Sequence, residues 1–165
     1  MMTVTTCCRR RSFAGFTMVE LLVTLAIATI LTTVAVPSFS GLIASQRAKT
    51  AGSELFASLL KTRSEAIKRN ANVTVSPLAG AWNQGWQILD PANAANVLES
   101  HGAVAGVTIT PVGPAGGVTY RPSGRVLAGG TASFLITTTS GSSTIYQCIS
   151  LNLSGRPYMQ AAQTC

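Results

Sequence analysis

The sequence predicts an α+β protein: a long N-terminal helix, its first half transmembrane, packed on a C-terminal antiparallel β-sheet domain. Three observations predict it. Residues 18–36, MVELLVTLAIATILTTVAV, hold one ionisable group, Glu20. Helical spacing of apolar residues then continues to Arg69. From residue 71 onward, short segments rich in Val, Thr and Ile alternate with Gly, Pro, Ser and Asn, as strands alternate with turns.

The apolar run is long enough for a helix to cross a bilayer. It raises the mean hydropathy of the chain, which is +0.36, and charged residues are 10% of the whole. Arg9, Arg10 and Arg11 precede it, which favours a cytoplasmic N-terminus. A cleaved secretory signal and a plain anchor are two readings of such a run. It exceeds the usual apolar core of ~7–15 residues in a secretory signal, and TTVAVPSFS offers no A-x-A cleavage site. Neither reading accounts for Glu20, since an unpaired carboxylate inside a membrane is strongly disfavoured.

Past Pro37, the residues Phe39, Leu42, Ile43, Phe56, Leu59, Leu60 and Ile67 follow i, i+3, i+4 steps and predict the helix face that packs on the domain. Pro37 is expected to loosen the helix, with Ser38 capping a restart. If wholly helical, residues 17–69 extend about 80 Å. Lys61, Arg63, Lys68 and Arg69 read as a solvated face, with Glu54 and Glu65 in surface ion pairs. Lys68 and Arg69 suit a helix C-terminus, and Asn70 is the expected stop.

Eight short strands are expected beyond it, at 73–76, 85–90, 96–100, 106–111, 117–121, 124–128, 132–138 and 144–152. VGPAGG at 112–117 and TTSGSS at 138–143 are loops. Short strands against one helix face predict antiparallel sheets on a helix. The organisation is thus 1–15 as a leader, 16–37 as the membrane helix, 38–70 as its extramembrane half and 71–165 as the β-rich domain.

The chemistry expected of this chain is sparse. His101 is the sole histidine, in a turn expected to be solvated, which excludes a His-based metal cluster. No G-x-S-x-G, H-E-x-x-H or Walker sequence is present. Asp90, before Pro91, reads as a turn former, and Trp82 and Trp86 as core packing or a strand edge rather than a stacking surface for a ligand. No catalytic residue, metal, cofactor or small-molecule substrate is expected, and the chain does not read as an enzyme. Beyond residue 40, nine Lys or Arg face four acids. That balance permits a polyanionic partner without requiring one.

RRRSFAGFTMVELLVTLAIATIL…AVPSF resembles the type IV prepilin leader. The resemblance implies cleavage between Gly15 and Phe16 by a prepilin peptidase, and N-methylation of Phe16. Glu20 would then be the fifth mature residue, and Pro37 falls where many such proteins carry proline. The carboxylate of Glu20 would face the Phe16 cation of a neighbouring subunit and set register in a filament. Two charges ~4 Å apart attract far more strongly in a dry interior than in water. The location implied is the bacterial inner membrane, single-pass, with the C-terminal domain periplasmic and filament-associated after assembly.

Farther on, ELFASLLKTRSEAIKRN, WNQGWQILD, VTYRPSGRV and LNLSGRP…C resemble the GspH/FimT family of minor pilins and pseudopilins. The resemblance implies a structural subunit of a type IV pilus or a type II secretion pseudopilus, with other pilins or pseudopilins as partners. In an exported domain, Cys148 and Cys165 are expected to form a disulfide. Cys7 and Cys8, in the leader, read as incidental.

SGR occurs twice, at 123–125 and 154–156, each with Arg just after a glycine turn. The FimT-like branch resembles DNA-uptake minor pilins with a C-terminal G-R-x-R. Here the sequence is Gly155-Arg156-Pro157-Tyr158, without the second arginine. DNA binding is therefore the alternative function, with Arg156, Tyr158, Arg125 and Arg121 as candidate contacts if they share a face. A singly anchored envelope protein outside any filament is a third reading.

Overall fold

The computed structural model describes residues 15–113, 116–127, 133–141, 143–152 and 154–165; within 34–38 it describes the backbone alone. The leader residues Arg9–Arg11, Cys7 and Cys8 lie outside the described residues. The chain divides into two units, Met1–Ser38 and Phe39–Cys165.

Helix α1 is Met18–Arg69. Thr17 caps it: the Glu20 amide donates to Thr17 Oγ1 at 3.2 Å. That bond satisfies one of the amides a helix start leaves without a partner. Helical backbone runs on through Pro37, so Ser38 does not start a new helix. A single missing N–H, with a ring already at helical φ, removes too little to end a helix supported on both sides. At the other end Asn70 adopts φ 51°, and the Ala71 amide bonds the Ala66 carbonyl, closing the last turn as expected. Among the described residues no helix is long and apolar enough to cross a membrane. The side chains of 34–38, which include the end of the apolar run, are not among those described.

Eight strands follow: β1 Val73–Pro77, β2 Trp86–Leu89, β3 Val97–His101, β4 Thr108–Val112, β5 Val118–Tyr120, β6 Ser133–Ser140, β7 Ser143–Leu151 and β8 Pro157–Gln160. They form two four-stranded antiparallel sheets, ordered β3-β2-β1-β5 and β4-β6-β7-β8. Seven of these match expected segments. The expected strand at 124–128 is reduced, over its described part, to one bridge between Tyr120 and Val126. β8 lies beyond the last expected strand. Pro157 supplies no N–H, but as the first residue of an edge strand it need not donate. Two 3-10 turns, Leu78–Gly80 and Trp82–Gln84, join β1 to β2.

Both sheets and the helix share one core, which includes Leu55, Leu59, Val75, Trp86, Tyr120, Phe134, Ile136 and Ile149. The helix face that enters it is not the expected one. Ala44, Ala48, Ala51, Leu55, Ser58, Leu59, Thr62 and Ala66 are buried, while Phe39, Leu42, Ile43, Leu60 and Ile67 are exposed. The buried stripe repeats with helical period, but it is built of small residues. Small side chains let a sheet approach a helix closely, and large ones would hold it off. Of the expected face only Leu59 is fully buried, with Phe56 half-buried.

Candidate functional site

The helix start is the first candidate. Phe16, Met18, Val19, Leu21, Leu22, Val23, Leu25, Ile27, Ile30 and Leu31 are all exposed, from 51% at Val23 to 80% at Phe16. Apolar surface of this extent is covered by lipid or by other protein in a working molecule. Thr24, Thr29, Thr32 and Thr33 return their hydroxyls to carbonyls three or four residues back. That bonding leaves the helix outwardly apolar. Glu20, in the first turn, is the one acid of the stretch. Its position near the amide end of the helix is favourable for a negative charge.

The second candidate joins the two SGR sequences. In the first turn the Gly124 amide donates to the Arg121 carbonyl at 2.8 Å, and the Arg121 amide to the Arg125 carbonyl at 2.8 Å. In the second, Gly155 donates to Asn152 at 2.9 Å and Asn152 to Arg156 at 3.1 Å. The two turns share one bonding pattern, with glycine left-handed in each, at φ 75° and 78°. They also touch. A Cβ on Gly155 would lie 2.2 Å from the Gly124 carbonyl oxygen and 3.2 Å from the Arg125 Cα. From the helix, Arg63 Nε donates to that same Gly124 oxygen at 2.9 Å. Asn152 Oδ1 braces the second turn, accepting from the Arg156 amide at 2.8 Å and from the Ser154 hydroxyl at 2.7 Å. Tyr120 lies beneath the turns, and burial pushes its phenol pKa up.

The helix cations are therefore not simply a solvated face. Arg63 holds the turn pair. Lys61 pairs with Glu99 of β3. Arg69 binds Glu65 at 2.6 Å and Asp90 at 3.3 Å, and Lys68 stands 3.8 Å from Glu65. The Arg69 hydrogen bond holds the Glu65 carboxyl below its usual range, against partial desolvation. Asp90 also accepts from the Ala92 amide at 3.0 Å, as a turn former does. Glu99 reaches inward too: Ser58 Oγ donates to it at 3.1 Å while accepting from Trp86 Nε1 at 2.9 Å.

His101 departs from expectation. It ends β3 rather than lying in a solvated turn. Its ring stacks on Trp86 with centroids 4.2 Å apart and planes 5° from parallel, and Nε2 lies 3.1 Å from Glu54 Oε2. The register that places His101 opposite Trp86 creates this stack. Among the described residues no three of His, Cys, Asp and Glu gather as a metal would need.

Cys148 and Cys165 form a disulfide, with Cα atoms 5.6 Å apart. Cys148 sits in β7 opposite Gln160 of β8, so the bond ties the C-terminal segment to the sheet that carries β8.

The family described as Type II transport protein GspH matches residues 51–155, from the buried face of α1 to the second turn glycine. The chain belongs to the GspH family. The prokaryotic N-terminal methylation motif matches residues 10–36, across the helix start. No curated protein matches the chain. Among solved structures it is similar to the type IV minor pilin FimU of Pseudomonas aeruginosa in two crystal forms. These are 22% and 23% identical, with a TM-score of 0.59 each, covering 71% of this chain and 98% and 93% of theirs. The minor pseudopilin EpsH from the type 2 secretion system of Vibrio cholerae is 15% identical, with a TM-score of 0.53, covering 70% of this chain and 97% of its own. At these identities the likeness is one of fold.

In this GspH member the structure brings the arginines' backbones together. Arg121, Arg125 and Arg156 are exposed around the touching turns, with Tyr158 following on β8. The DNA-binding alternative gains no support from the relatives. The GspH match ends at Gly155, so Arg156, Tyr158 and Cys165 lie beyond it.

Proposed function

We propose that the chain is a minor pilin or pseudopilin, a structural subunit of a type IV pilus or type II secretion pseudopilus. Membership of the GspH family and the methylation motif support this. The carrying observation is the exposed apolar helix from Phe16 to Leu31 with Glu20 as its one acid. Such a surface is stable only in a bilayer or among similar helices.

In this reading a prepilin peptidase cuts between Gly15 and Phe16, and the new amine of Phe16 is methylated. Residues 16–37 hold the subunit in the inner membrane until it enters the filament, with the domain in the periplasm. There Glu20 meets the Phe16 amine of an adjoining subunit. An unmatched carboxylate in that dry environment is costly, so the pair selects register. The outward residues Phe39, Leu42 and Ile43 extend the apolar surface beyond Pro37, for packing against neighbouring subunits. The role is assembly rather than catalysis.

The test is the mass of the mature protein purified from membranes. It is expected to begin at Phe16 with a methylated amine. A chain retaining residues 1–15, or cut elsewhere, would overturn the reading.

A further inference from the structure

We propose that the open edge of β8 and the groove beside it form a docking site for an extended, acidic segment of a partner polypeptide. β8 is the last strand of its sheet, and among the described residues it pairs only with β7. An open edge offers a row of backbone donors and acceptors to an incoming strand. Beside it runs a groove of about 550 Å³ lined by Ser53, Phe56, Asn152, Arg156, Tyr158 and Met159. Tyr158 is 48% exposed and Met159 38%. Met159 settles over the helix at Gly52, where a Cβ would lie 3.0 Å from its sulfur. The helix thus makes room there for a side chain that bends. Edge, apolar wall and adaptable methionine together suit a strand with alternating side chains.

Charge selects the partner. The four acids of Phe39–Cys165 are all engaged: Glu54 with His101, Glu65 with Arg69 and Lys68, Asp90 with Arg69, and Glu99 with Lys61. The Arg156 side chain has no ion pair among the described residues and stands at the end of the groove. Its backbone is fixed by Asn152 and by the paired turns. A partner carboxylate would complete it with two parallel bonds. The disulfide holds the strand in place beforehand, which lowers the entropy lost on docking. Nucleic acid suits this groove less well. One arginine among Phe56, Pro157, Tyr158 and Met159 is a poor match for a run of phosphates.

The experiment uses the full chain in detergent micelles with the disulfide intact. The probe is a short fluorescent peptide of alternating valine and glutamate. Saturable binding is expected. A valine–lysine peptide should not bind, nor should a glutamate peptide with N-methylated backbone, which cannot form the ladder. Arg156→Glu should weaken binding about tenfold or more, and Arg156→Lys should restore part of it. Intact mass and circular dichroism would confirm that both variants are folded and bridged. No binding, equal binding of both charge types, indifference to N-methylation or an unaffected Arg156→Glu would each overturn the proposal. So would preferential displacement by a DNA oligonucleotide, which would assign the groove to nucleic acid. Dimerisation of the chain that Arg156→Glu abolishes would assign it to a second copy, with the same result.

Discussion

Gly155 rests on the carbonyl oxygen of Gly124, so close that a Cβ there would lie 2.2 Å away. Two turns some thirty residues apart in sequence are thereby locked against each other, and Arg63 of the helix donates to the same oxygen. This three-way contact joins α1, the hairpin after β5 and the turn before β8.

Gly155→Ala is therefore expected to destabilise the domain by about 2 kcal/mol or more, from left-handed backbone strain and the clash together. Gly141 provides the control. It too is left-handed, at φ 58°, but a Cβ there meets nothing within 4 Å among the described residues. Gly141→Ala should cost about 1 kcal/mol, the strain alone. Urea denaturation of both variants measures the difference.

Reduction of Cys148–Cys165, or replacement of both by serine, should lower stability by about 3 kcal/mol in the chain-entropy model. The loss should appear first as faster amide exchange in β8, because the bond anchors the segment that follows it. Hydrogen exchange with and without reductant reads this out.

Tyr120 is buried, and among the described residues its hydroxyl has no hydrogen-bond partner. Tyr120→Phe should be neutral or mildly stabilising, by up to about 1 kcal/mol, since an unsatisfied polar atom is removed. The same change should alter the alkaline limb. A phenol raised in the folded state supports folding below its unfolded pKa, and that support is lost as pH rises through the folded value. Wild-type stability should thus fall more steeply at high pH than that of the variant.

Glu65 works in the opposite direction. Its carboxyl is held low by Arg69, so its contribution is present above the unfolded pKa and lost as pH falls through the folded one. Partial exposure of Arg69 lets solvent screen the pair, so its contribution is small. Glu65→Gln should match wild type at low pH and be slightly weaker at neutral pH, as thermal melts across that range would show.

Glu20→Ala should leave cleavage and membrane insertion unchanged while reducing incorporation into filaments. Fractionation of sheared filaments against membranes compares the two pools, and normal incorporation would remove the register role proposed for this carboxylate.

By itself, the sequence determined the features that depend on near neighbours. The stop at Asn70, seven strands and the solitary Glu20 all follow from local propensity or composition, which act over a few residues. The disulfide was legible because few cysteines remain in the domain. Only the tertiary structure decided which helix face is buried. Periodicity ranks residues by apolarity, but closeness of approach decides packing, and there Ala44, Ala48 and Ala51 succeed where Phe39, Leu42 and Ile43 would stand in the way. β8 was hidden because its strand character comes from pairing with β7, not from alternation along four residues. The contact of Gly124 with Gly155, the stack of His101 on Trp86 and the grip of Arg63 on the turn are likewise long-range. They arise where the chain returns on itself, and no local pattern encodes that distance.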